Sequence, residues 1–73
     1  MKQYYVLTQN PEFLSVLKFI KEHKLEFEAH INRTRFWISN KEVELMLLLK
    51  WGNNVGEVSP NEDLVTGYGY IEL

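Results

Sequence analysis

The chain has 73 residues, with eight basic and ten acidic side chains, no cysteine and a formal charge of −2. That length makes one domain, in which folding buries only about 60% of the unfolded chain's surface. The missing cysteines exclude a disulfide framework and a thiolate metal site, and the charge balance gives no general electrostatic attraction for nucleic acid.

An extracellular mini-protein of this size usually needs disulfides, so a reducing, cytoplasmic setting is expected. The opening MKQYYVLTQN has no apolar run of signal-peptide length, and the longest apolar run, residues 45–49, is far too short to cross a bilayer. A soluble protein with no membrane partner follows. One alanine and two arginines stand against 26 residues of Phe, Tyr, Met, Ile, Asn and Lys, whose codons are AT-rich. That bias suggests a bacteriophage or another mobile element, with the host cytoplasm as the setting.

In chain order, KQYYVLTQ has the aromatic and β-branched content of a strand and stops at Asn10-Pro11. Asn10 is expected to cap a helix, with Pro11 and Glu12 in its first turn. Phe13, Val16, Leu17 and Ile20 recur at helical spacing, with Leu14 and Phe19 on the flanks. At Lys24 or Leu25 the period drops from 3.6 to 2. Leu25, Phe27, Ala29 and Ile31 then alternate with Glu26, Glu28 and His30, which predicts a strand with one dry face and one wet face.

The segment around FWIS continues as another strand, and a tight turn at Asn32 and Arg33 makes the two a hairpin. The expected register pairs Ile31 with Thr34, Ala29 with Phe36 and Phe27 with Ile38 on the apolar face. His30 with Arg35, Glu28 with Trp37 and Glu26 with Ser39 fall on the polar face. Asn40 caps a second helix, Lys41 to Trp51, ended by Gly52. The last strand is expected at residues 67–73, with Val55 to Val58 as a doubtful extra. The resulting order, β-α-β-β-α-β, is that of an α+β ferredoxin-like sandwich: one domain over residues 1–73, an antiparallel sheet with two helices on one face.

The second helix is the most informative stretch. NKEVELMLLLKW carries five apolar residues in succession, too many for one buried stripe. Val43, Met46 and Leu47 fall on one side with Trp51 beside Leu47, and Leu45, Leu48 and Leu49 fall nearly opposite. The surplus side is ordinary core if the first helix and residues 53–63 cover it. Otherwise it is a partner surface or a homodimer seam, because monomers seldom expose large contiguous apolar patches.

A second candidate surface is the sheet face away from the helices. Trp37 and Arg35, with Tyr4 or Tyr5 on the first strand and Tyr68 or Tyr70 on the last, outline an aromatic platform of the kind that stacks nucleic-acid bases. The outline resembles an RNA-recognition motif in topology. The third strand reads RTRFWIS and lacks that family's glycine-and-aromatic pattern, and Glu26 and Glu28 on the same face would repel phosphate, so nucleic acid is the weaker expectation.

His30 with Glu26 and Glu28 matches no metal-ligand spacing, and no phosphate-cradling loop or nucleophile elbow occurs. No catalytic residue, cofactor or metal is therefore expected. The sequence reads as a small non-enzymatic binding protein that inhibits or modulates a larger host protein. Leu45, Leu48, Leu49 and Trp51 would supply contact area, with Trp37, Arg35 and Tyr70 as the alternative surface.

Overall fold

The computed structural model describes residues 1–58. Six elements follow in order: β1 (Lys2–Leu7), α1 (Phe13–Glu22), β2 (Phe27–Ala29), β3 (Arg33–Ile38), α2 (Lys41–Trp51) and β4 (Val55–Val58). The strands form one sheet in the order β2-β3-β1-β4, and every pair is antiparallel. Tyr4 and Val6 of β1 and Phe36 and Ile38 of β3 project from one face into a single cluster with Val16, Phe19 and Ile20 of α1 and Leu47 of α2. Both helices therefore cover the same face, which is the ferredoxin-like arrangement.

The fourth strand is Val55–Val58, the segment read from sequence only as a doubtful extra. Residues 67–73, where the last strand was expected, lie outside the described residues. Gly56 weakens the local strand preference. Tertiary contact offsets this: Gly56 pairs with Tyr5, and a Cβ at Gly56 would come within 2.5 Å of the tyrosine ring, so the ring lies directly on the glycine.

The hairpin register is shifted by two residues from the expected one. Phe27 faces Phe36, Glu28 faces Arg35 and Ala29 faces Thr34. The turn residues are Ile31 and Asn32, closed by the His30 N–H donating to the Arg33 carbonyl at 2.8 Å. Two contacts favour this arrangement, one from outside the hairpin and one across it. The Thr8 N–H donates to the Asn32 carbonyl at 2.8 Å, and Arg35 lies directly opposite Glu28. Because the shift is even, the two faces keep their composition.

α1 begins at Phe13, later than expected. The Asn10 side chain accepts from the Glu12 N–H at 2.8 Å, shaping a turn ahead of the helix instead of capping it, and Glu12 occupies the cap position. The helix closes with Leu25 N–H donating to the Ile20 carbonyl at 3.0 Å and Lys24 N–H to the Lys21 carbonyl at 3.2 Å. These are the two bonds of a Schellman closure, and Lys24 takes the left-handed position at φ 55° that glycine usually fills. Phe19, expected on the flank, is core. The Trp51 ring meets it edge-on at 5.4 Å and extends the interior to that side.

α2 begins as the sequence indicates. The Asn40 side chain accepts from the Glu42 and Val43 N–H groups at 2.8 and 3.1 Å. Asn40→Ala is expected to lower stability by about 1 kcal/mol, read as a fall in the urea midpoint at unchanged slope. No shift would mean that packing alone sets the start of α2.

Candidate functional site: the outward face of α2 and the open sheet face

Steps of four residues divide the surface of α2 into four ridges. Val43, Leu47 and Trp51 form the inward ridge. Leu47 is fully buried, and Val43 and Trp51 pack against the core. The Trp51 indole N–H donates to the Glu12 carboxylate at 3.1 Å, which ties the end of α2 to the start of α1. The neighbouring ridge begins with Glu44, whose carboxylate accepts from the Tyr4 hydroxyl and lies 3.4 Å from the Lys2 ammonium.

The other positions face outward. Leu45 and Leu49 form the ridge opposite the core, 53% and 85% exposed, flanked by Leu48 and Met46, each 39% exposed. The structure thus brings Leu45, Leu48 and Leu49 onto one surface and places Trp51 on the inward ridge, nearly half a turn from Leu49. Met46 belongs to the outward group, although the sequence reading placed it beside Leu47. Reading the helix by i, i+4 ridges, in place of two opposed sides, would have found it.

On the sheet's other face, one row crosses all four strands through Glu28, Arg35, Tyr5 and Gly56. Tyr4, its chain neighbour, points the other way into the core. The Arg35 guanidinium donates to Glu28 at 2.5 Å and lies 5.4 Å from the Trp37 ring centroid, while Arg33 lies 5.2 Å from that of Tyr5. Both rings therefore already carry a guanidinium. The bond from Arg35, followed by the contact with His30, holds the Glu28 carboxyl below its ordinary range.

Although it lies on the face without helices, Arg35 is only 8% exposed, and Gln3 beside it is 9% exposed. The Gln3 amide nitrogen is buried with no hydrogen-bond partner among the described residues. Tyr68 and Tyr70, which would complete the aromatic platform, lie outside the described residues. Sequence reasoning missed the burial of Arg35 and Gln3, because alternation assigns a residue to a face but not a depth.

Among the described residues, no group of three His, Cys, Asp or Glu side chains is placed to hold a metal ion. Likewise, no helix there is long and apolar enough to cross a membrane. A cavity of about 290 Å³ opens between Leu25, Trp37 and Val43. Comparison with family models, with characterised proteins and with solved structures finds no match to this chain.

Proposed function

We propose that this chain is a small protein-binding module with no active site of its own, which inhibits or modulates a larger protein by occupying it with the outward face of α2. The observation that carries the reading is the exposed group Leu45, Met46, Leu48 and Leu49 on a helix whose inward ridge already supplies the core contact. Contiguous apolar side chains held on a rigid helix are the raw material of helix-in-groove recognition. The residue bias toward AT-rich codons supports a bacteriophage origin and a host protein as the target.

Nucleic acid is disfavoured at the open sheet face. Arg33 and Arg35 occupy the faces of Tyr5 and Trp37 on which bases would stack, and Glu28 offsets part of their charge.

The test is affinity capture from a bacterial lysate, with and without nuclease, using the native chain and Leu49→Glu. Leu49 is the most exposed residue of the face, so the substitution is expected to leave the far-UV spectrum unchanged and stability within about 0.5 kcal/mol of native while losing the captured protein. A folded variant that retains the partner would refute α2 as the binding face. Recovery of nucleic acid alone would refute the protein-binding reading.

A further inference from the structure

We propose that, before it meets a larger partner, the outward face of α2 pairs with the same face of a second copy in antiparallel orientation. The binding surface is then held in a weak two-fold dimer that must dissociate for the partner to dock. The inference rests on the reading of α2 as a protein-binding face and names what covers that face when the partner is absent.

The argument is one of self-complementarity. Glu42, Met46 and Lys50 lie on one ridge of α2, four residues apart, along one side of the Leu45–Leu49 ridge. The other side carries Glu44 and Leu48. A two-fold axis perpendicular to the helix reverses its direction but keeps each flank against its own counterpart. With the axis at Met46, Glu42 of one copy meets Lys50 of the second and Lys50 meets Glu42. Met46 faces Met46 and Leu48 lies near Leu48, while the Leu45–Leu49 ridges interdigitate.

A parallel pairing would instead set the Glu42–Met46–Lys50 flank of one copy against the Glu44–Leu48 flank of the other, bringing Glu42 near Glu44 with no acidic partner level with Lys50, and the helix dipoles would also repel. The antiparallel arrangement joins unlike charges at both ends of an apolar centre. Glu42 and Lys50 are both exposed; Lys50 rests over the Trp51 ring at 5.6 Å, on the side of its ridge turned from the leucines, and swings off that ring to reach Glu42 of the second copy.

The size of the face sets the strength. One three-turn helix offers far fewer side chains than the roughly 20–30 residues per side of a standard stable interface. Dissociation is therefore expected on the order of 10–100 µM, weak enough for a larger partner to displace the second copy.

The test is analytical ultracentrifugation of the native chain, Glu42→Lys, Lys50→Glu and an equimolar mixture of the two variants. Native protein is expected to show a concentration-dependent mass. Each variant alone places like charges at both ends of the seam, and its dimer should weaken at least about tenfold. In the mixture, a copy with lysine at both positions meets a copy with glutamate at both. Unlike charges then oppose each other at each end again, and dimerisation should return to near the native level.

A native chain that stays monomeric to millimolar concentration would overturn the proposal, as would single variants that dimerise like native or a mixture that fails to recover. Should charge reversal at a helix end unfold the chain, Glu42→Gln and Lys50→Gln are measured instead. Each then weakens the dimer by a smaller factor, and an unchanged constant overturns the proposal. Capture with folded Glu42→Lys separates the two readings: a retained larger partner leaves the protein-binding reading standing even where the dimer fails.

Discussion

Leu47→Ala is expected to lower the unfolding free energy by about 3 kcal/mol, the largest effect of any single truncation in α2. Leu47 is fully buried and is the one α2 residue within the fully enclosed cluster that also holds Tyr4, Val6, Val16, Phe19, Ile20, Phe36 and Ile38. Removing three carbons there forfeits both transfer energy and the packing of neighbours from the sheet and α1. For a domain of this length, whose total stability is of order 4–11 kcal/mol, such a loss brings the chain close to its threshold.

The same substitution two positions on, Leu49→Ala, is expected to change stability by less than about 0.5 kcal/mol, because that side chain has little packing to lose. Urea unfolding followed by tryptophan fluorescence measures both. Equal losses at the two positions would mean that the outward face is packed in solution, and α2 would lose its role as a binding surface.

Tyr4→Phe is expected to cost about 2 kcal/mol at neutral pH, because it removes the hydroxyl donor of a largely enclosed carboxylate and leaves Lys2 as its remaining partner. The Tyr4 hydroxyl bonds Glu44, and Lys2 lies between Glu44 and Glu57 at 3.4 and 3.8 Å. Burial, then the bond to Glu44 and the charges of Glu44 and Glu57, push the Tyr4 hydroxyl far above the ordinary value of 10.0. The same bond holds the Glu44 carboxyl below its ordinary 4.5.

The two shifts act at opposite ends of the pH scale. Glu44 binds its proton more weakly in the folded state, so its contribution is present above 4.5 and is lost as pH falls through its folded value. Tyr4 binds its proton more strongly in the folded state, so its contribution is complete below 10.0 and is lost as pH climbs above that value. The difference in stability between native and Tyr4→Phe should therefore form a plateau from about pH 5 to pH 10 and shrink on both sides. A difference independent of pH would show that the phenol acts only by filling space.

What the sequence made legible was the short-range physics. Asn40 caps α2 through amides two and three residues ahead, and the change from helical to strand period at Lys24 and Leu25 coincides with a Schellman closure. The ferredoxin-like order follows from such local signals. Partners distant in the chain decided what was missed. The valines of β4 form a strand because Tyr5 fills the space over Gly56, and Phe19 is interior because Trp51, thirty-two residues away, packs on it.

The surplus of apolar residues in α2 was visible as a surplus, but its orientation was not. Several ridges could have turned inward. The Val43–Leu47–Trp51 ridge does so where Glu44 reaches Tyr4 and Trp51 reaches Glu12 and Phe19, contacts that no spacing rule reports. Trp37 and Arg35 were assigned to the correct face, yet the stacking of the guanidinium over the indole was beyond a reading by alternation.

The place of β1 in the sheet has a consequence for biosynthesis. β1 is synthesised before both of its neighbours, to which it is hydrogen-bonded on one side through Arg33–Ile38 and on the other through Val55–Val58. At roughly 5–20 residues per second, several seconds separate the emergence of β1 from that of its second partner. During that interval Tyr4 and Val6 have no completed interior to enter; both edges of the strand are open until Arg33–Ile38 emerges, and one remains open after it. Among the described strands, β1 thus waits longest for a partner, and its second edge is closed only when the segment containing Gly56 arrives.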